Sequence, residues 1–188
     1  IKEKDLRIGD TILIERSGDV IPQIVKSLPE LRNGEETFIH FPKNCPVCKD
    51  HLFKPDGEAV WRCVNINCKA QVVERIIHYV SKDAMDIRSF GEANVRKFYE
   101  KGFLKDVPGI YKLDWDALKK MEGFGTRSIE NLQNAIEASK SQPLHRLIFA
   151  LGIRYVGETT AKTLAQSVTN VFDLGNYSIE QLLQLDDV

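Results

Sequence analysis

The sequence predicts a multidomain α+β chain: a short β region, a small cysteine-rich segment and a mostly α-helical remainder. Three observations carry this. Apolar residues alternate with others along the first 40 positions, all four cysteines fall between positions 45 and 68, and from Ala70 onward apolar residues recur at three- and four-residue steps. A chain of 188 residues is long enough for one medium domain or two to three small ones. With 43% hydrophobic and 28% charged residues it has the make-up of a folded chain rather than a disordered one. It holds no apolar run of about eighteen residues, which argues against a membrane helix. The opening Ile1-Lys2-Glu3-Lys4-Asp5 has neither an initiating Met nor the pattern of a signal peptide, and reads as a cut from something longer.

Charge constrains function next. The 26 Lys+Arg balance 27 Asp+Glu to a net −1, and the segments 1–40, 41–70, 71–140 and 141–188 carry −2, +2, +1 and −2. There is no basic tail or dominant stripe of the kind that many nucleic-acid binders carry. If the chain holds a polyanion, it uses something other than bulk charge.

Residues 1–40 read as strands. Ile12 and Ile14 alternate with Thr11 and Leu13, while Gly9-Asp10 and Gly18-Asp19 supply turns. Ile21-Pro22-Gln23-Ile24-Val25 reads as a strand that starts beside a proline, hence at a sheet edge. Three or so short strands cannot bury two faces, so they either pack on the rest or form the tail of a barrel that is otherwise elsewhere. From Ala70, the residues Val72, Val73, Ile76, Ile77, Tyr79 and Val80 give one helix an apolar face. Short helices and glycine-bearing turns follow.

Cys45, Cys48, Cys63 and Cys68 are spaced C-x2-C-x14-C-x4-C. A two-residue gap lets one tight turn aim both sulfurs at one ion, and the longer excursion returns the second pair to complete a tetrahedron. Four thiolates suit Zn²⁺, with sulfur about 2.3 Å from the metal. With all four positions Cys, no coordination site is left for water, so the zinc is structural. The other reading is two disulfides in one of three pairings, but nothing in the chain points to an oxidising compartment. His51 lies in the excursion and is surplus as a ligand. Asp56-Gly57 reads as a hairpin turn joining Leu52-Phe53 to Ala59-Val60-Trp61. Lys54-Pro55-Asp56-Gly57 also matches K-x-D-G, the signature of a nucleotide-carrying lysine. Its place between two ligand pairs leaves no room for a deep nucleotide pocket, so the match is read as fortuitous.

Self-comparison finds a repeat. The segment Phe90-Gly91-Glu92 through Phe98 aligns with Phe124-Gly125-Thr126 through Leu132 and with Val156-Gly157-Glu158 through Leu164. Each copy has an apolar residue three places earlier: Ile87, Met121 and Ile153. Stepping on once more lands on Val188, the threshold of a fourth copy, with Leu185 three places before it. Each copy reads as helix, tight glycine turn, helix. The glycine permits positive φ and removes the side chain that would hold another backbone away. The second helix then presents unpaired N–H groups and the positive end of its dipole, which suit a phosphate oxygen without net charge. Arg127 and Lys162, early in their helices, each add a charged contact. The second copy (Gly123, Gly125) and the third (Gly152, Gly157) look best formed. The first has Ser89 where a second glycine would help, and reads as structural.

These residues resemble the C-terminal half of the bacterial NAD-dependent DNA ligases. Arg7-Ile8-Gly9-Asp10-Thr11 through Arg16-Ser17-Gly18-Asp19-Val20-Ile21-Pro22-Gln23 is similar to the last strands of that family's OB domain. Cys45-Pro46-Val47-Cys48, Gly57-Glu58-Ala59, Arg62-Cys63, Asn65 and Cys68-Lys69-Ala70-Gln71 resemble its four-cysteine zinc finger. His78 through Ile87 resembles the entry to its helix-hairpin-helix domain, and Ala150 through Ala161 its third hairpin. The departures are Lys69 where the family usually has Pro, Ser17 for Ala, and Ser89 for Gly; only Ser89 touches a proposed contact.

The resemblance implies domains at 1–40 (truncated OB strands), 41–69 (zinc finger) and 70–188 (three hairpins, the fourth cut off). It implies a parent enzyme, monomeric and in the bacterial cytoplasm at the nucleoid, that is adenylated by NAD and seals nicks in duplex DNA with Mg²⁺. The adenylated lysine lies outside this chain, which is expected to be inactive alone and to grip the duplex weakly, with few ion pairs. The expected DNA contacts are Gly123, Gly125 and Arg127; Gly152, Gly157, Thr159 and Lys162; Gly91; and Arg16 on the OB surface. Two alternatives remain: a non-catalytic zinc and hairpin module of another repair protein, and a scaffold for protein interaction.

Overall fold

The computed structural model describes residues 1–17 and 21–185, apart from the Ser17 side chain. The expected turn at Gly18-Asp19 and the fourth-copy Val188 lie outside the described residues. The backbone divides into two units: Ile1–Pro46 with His51–Arg62, and Val47–Asp50 with Cys63–Val188.

In the first unit, β1 (Arg7–Ile8), β2 (Ile12–Ser17), β3 (Ile21–Ser27) and β4 (Thr37–Phe38) form two separate antiparallel pairs, β1 with β4 and β2 with β3. There is no barrel among the described residues. As a two-stranded sheet, β2–β3 is all edge, so Pro22 opposite Arg16 is tolerated. The register slips by one residue at Leu13/Ile14, a bulge that breaks the simple alternation expected there.

This unit has almost no apolar interior. Among its described residues only Ser27 and Cys45 are buried, while Ile8, Leu13, Ile14, Ile21, Leu31, Phe38 and Phe41 are exposed. Polar contacts hold it instead. Arg32 donates from Nε and Nη2 to the two Asp10 oxygens at 2.6 and 2.9 Å, and from Nη1 to Asp5 at 2.7 Å. Asp10 also accepts from the Arg7 backbone N–H at 2.7 Å, and the Arg7 guanidinium sits 4.5 Å over the Phe38 ring. The Arg32 guanidinium holds the Asp10 and Asp5 carboxyls below the ordinary aspartate range. A carboxyl depressed in the folded state contributes stability above its unfolded pKa, near 4, and loses it as pH falls through the folded value. The first unit is therefore expected to loosen below about pH 4. In Arg32→Ala the Asp10 titration seen by carboxyl NMR should move up toward its ordinary value; an unmoved midpoint would contradict this.

Further along, β5 (Leu52–Phe53) pairs with β6 (Arg62–Cys63). The return strand is thus three residues later than the expected Ala59–Trp61. The excursion is not a two-residue hairpin but a longer loop in which Gly57 takes φ +81° and Glu58 pairs with Arg62.

The second unit is helical: α1 (Lys69–Val80), α2 (Glu92–Glu100), α3 (Trp115–Lys119), α4 (Thr126–Ser139), α5 (Leu144–Ala150), α6 (Glu158–Ser167) and α7 (Ile179–Leu182). Its main core joins Val73, Ile76, Tyr79 and Val80 of α1 to Val95 and Phe98 of α2, Leu118 of α3, Ile129, Leu132 and Ile136 of α4, and Ala150 of α5. A smaller core gathers Ile148, Ala161 and Leu164 with Leu174, Leu182 and Leu185. Helix α1 buries the face expected from its periodicity. A polar chain crosses the main core: the Tyr79 and Tyr111 hydroxyls lie 3.0 Å apart, and Tyr111 lies 3.2 Å from the Ser139 hydroxyl. Ser139, fully buried, is satisfied by donating to the Ile136 carbonyl at 2.7 Å.

Candidate zinc centre and nucleic-acid interface

The four cysteines come together. Their sulfurs lie within 4.8 Å of one another, and Cys48 Sγ is 3.5 Å from Cys63 Sγ. A zinc tetrahedron with 2.3 Å bonds has sulfurs about 3.8 Å apart, inside this range. None of the four is in a disulfide, and one cluster of four sulfurs is the arrangement a tetrahedral metal site needs. Cys45 and Cys68 are buried and the other two half-buried. His51 is exposed and outside the cluster.

The chain builds this site from local turns. Lys49 takes φ +66° directly after Cys48, which closes the first knuckle. Asn65 shapes the second by accepting the Asn67 N–H at 2.8 Å, and its amide also donates to Asp50. Cys68 is the N-cap of α1, where the helix N-terminus favours a thiolate. Arg75, one turn into that helix, reaches back to the Ile66 carbonyl. Asn65 stood among the residues that resemble the zinc finger, whereas Asp50 and Arg75 were not singled out from the sequence and had no signal there.

The hairpin copies share one backbone geometry. Gly91, Gly125 and Gly157 are the N-caps of α2, α4 and α6, with φ/ψ of −70/173°, −79/170° and −82/−176°. Four residues on, Val95, Ile129 and Ala161 donate to those glycine carbonyls at 3.1, 3.1 and 2.9 Å. Those three residues are buried, as are Phe98, Leu132 and Leu164 a turn later. Each glycine is preceded by a turn in which Phe90, Phe124 or Val156 donates to Ile87, Met121 or Ile153 at 3.3, 3.1 or 3.0 Å. The third residue of each turn, Ser89, Gly123 or Tyr155, has positive φ (63°, 86°, 66°) and the second does not, which is type II geometry.

This corrects the reason given for the glycines. The N-cap glycines adopt ordinary extended backbone that any residue can take. The left-handed residue lies two places earlier, and is glycine only in the second copy. What the N-cap glycines do is leave space: a Cβ built on Gly91, Gly125 or Gly157 meets nothing within 4 Å. None of the three helices has a side-chain cap bonded to its first turn, so the N–H groups of the first two helical residues keep their donor capacity for an anion. Ser89 supplies the left-handed residue in the first copy, whose carbonyl accepts from Asn94 at 2.9 Å, so that copy has the same backbone as the others.

Gly152 lies elsewhere. It follows the end of α5 with φ +64°, and a Cβ there would sit 3.4 Å from the His78 ring. His78 itself bonds the Phe149 carbonyl at 2.8 Å, so Gly152 ends a helix and admits a packed ring. Arg127, Thr159 and Lys162 are exposed on the first turns of α4 and α6, and Arg16 is exposed on β2. Ile87 is buried, Met121 half-buried and Ile153 46% exposed, so the apolar marker of the repeat is core only in the first copy. Lys97 of α2 donates to the Glu122 carbonyl at 2.9 Å and lies over the Phe124 ring, bracing the second turn from the first hairpin. Lys54-Pro55-Asp56-Gly57 sits on an open loop with Lys54, Asp56 and Gly57 exposed.

Residues 1–36 match the NAD-dependent DNA ligase OB-fold domain, 44–70 the NAD-dependent DNA ligase C4 zinc finger domain, and 146–188 the helix-hairpin-helix motif. Among curated relatives, the DNA ligase of Persephonella marina is 60% identical over all 188 residues, that of Sulfurihydrogenibium azorense 59% and that of Aquifex aeolicus 48%. The chain belongs to the NAD-dependent DNA ligase family. It spans about a quarter of the length of these relatives (26%, 27% and 26%). The C4 zinc finger match and the four clustered sulfurs of this ligase chain together support a structural zinc.

Proposed function

We propose that this chain is the duplex-gripping portion of an enzyme that seals single-strand nicks in DNA. The observation that carries the reading is the thrice-repeated type II turn, extended glycine cap and helix whose start no side chain caps. Phosphate oxygens dock on the amides following Gly91, Gly125 and Gly157; Gly123 shapes the turn before the second cap, and Gly152 ends α5 ahead of the third hairpin turn. Arg127, Thr159 and Lys162 add side-chain contacts, and Arg16 reaches the duplex from the OB strands. Zinc on Cys45, Cys48, Cys63 and Cys68 holds the segment 41–69 folded; the OB strands occupy 1–40 and the hairpin domain 70–188. The parent acts as a monomer at the nucleoid of the bacterial cytoplasm. Its NAD and Mg²⁺ sites lie outside this chain, whose own residues bind and orient the duplex.

Fluorescence anisotropy with a labelled nicked duplex tests this reading. The zinc-loaded chain should bind reversibly, yet leave the nick open when NAD and Mg²⁺ are added. Absence of binding at low salt would leave only the scaffold alternative.

A further inference from the structure

The third hairpin differs from the other two at its tip. Its left-handed turn residue is Tyr155, with φ +66°. The equivalent places hold Ser89 and Gly123, and a bulky aromatic there is an outlier, because left-handed backbone crowds Cβ against the carbonyl. The strained ring is not buried in compensation: Tyr155 is 79% exposed. It is instead held in place. The Arg154 guanidinium lies 4.6 Å over the ring, and its Nη2 donates to the Tyr155 hydroxyl at 2.6 Å. Leu151 and Ile153 beside it are also exposed, at 44% and 46%. A strained, outward-facing aromatic–cation pair thus sits two residues before the Gly157 helix cap, and backbone strain of this kind gathers at functional sites.

We propose that Arg154 and Tyr155 form a nucleic-acid contact that makes the third hairpin the anchoring one. The inference rests on the duplex-gripping reading and deepens it. The ring packs on the deoxyribose of the nucleotide whose phosphate the amides after Gly157 hold. Arg154, stacked on the ring's other face, pairs with a neighbouring phosphate. The apolar contact tightens binding without a counterion term, and the guanidinium supplies one.

The test compares the zinc-loaded chain with Tyr155→Phe, Tyr155→Gly and Arg154→Ala, by anisotropy on nicked duplex across a salt series and by thermal melting. Tyr155→Gly removes the ring and relieves the backbone, so its melting temperature should rise by about 2–4 °C. Its affinity should nevertheless fall about fivefold or more, with the salt slope unchanged. Tyr155→Phe should stay within about twofold of the parent chain. Arg154→Ala should reduce the salt slope by about one unit. If the unaltered chain binds and Tyr155→Gly binds equally well, this inference falls while the grip by the glycine-capped helices stands. If the unaltered chain does not bind, both fall.

Discussion

Chelating the zinc, or replacing Cys63 with Ser, should unfold residues 41–69 and leave most of the helical signal intact. The zinc-finger segment has no apolar interior of its own. Its strands β5 and β6 are two residues each, Phe53, Val60, Trp61, Val64 and Ile66 are exposed, and its buried residues are two of the cysteines, Cys45 and Cys68. In so small a segment the metal is the core, and its binding free energy, about 10–16 kcal/mol for structural zinc at neutral pH, is folding free energy. The helical core from Val73 to Ala150 needs no metal. Far-ultraviolet circular dichroism should therefore keep its helical shape, while NMR signals of 41–69 collapse to disordered positions. The start of α1 should fray as well, since Cys68 caps it. A native protein without zinc, or a melting curve indifferent to the chelator, would contradict this.

Gly125→Asp and Gly157→Asp should weaken duplex binding while leaving the fold as stable or slightly more so. The backbone at both positions is ordinary and a Cβ meets nothing. Aspartate is also a better N-cap than glycine, by a few tenths of a kcal/mol. The same carboxylate, however, occupies the leading N–H groups and places a negative charge where a phosphate oxygen must sit. About tenfold in affinity should be lost at each site, or about 1.4 kcal/mol. Opposite signs in melting and binding separate this account from one in which the glycines only end helices. If both variants bind as well as the unaltered chain, the amide grip is wrong.

The parts legible in the sequence were those written in spacing. The cysteine pattern placed the metal cluster, because knuckle turns are local. The phase of the repeat placed Gly91, Gly125 and Gly157 at equivalent helix starts, and the buried positions four and seven residues later obey helical period. What spacing could not show was backbone conformation imposed by context. Nothing in Ser89 or Tyr155 announces positive φ; it follows from the turn bonds Ile87–Phe90 and Ile153–Val156. Ile153 reads as core by analogy with Ile87, yet stands 46% exposed. The return strand at Arg62–Cys63 was displaced from Ala59–Trp61 because the second cysteine pair, not the Asp56-Gly57 turn, sets where the hairpin closes. The Arg32–Asp10–Asp5 cluster joins residues far apart in the chain and left no local trace.

Near-neutral charge argues against a nucleic-acid binder only if binding must come from side-chain cations. Salt dependence measures that directly. With Arg16, Arg127, Arg154 and Lys162 as its ion pairs, the zinc-loaded chain should bind nicked duplex with a slope of log K against log salt of about −3.6, since each neutralised phosphate contributes roughly −0.9. Gly125→Asp and Gly157→Asp should lower affinity at every salt concentration. A slope near −8, with both glycine variants binding normally, would mean that cations hold the duplex and the helix-terminal amides do not.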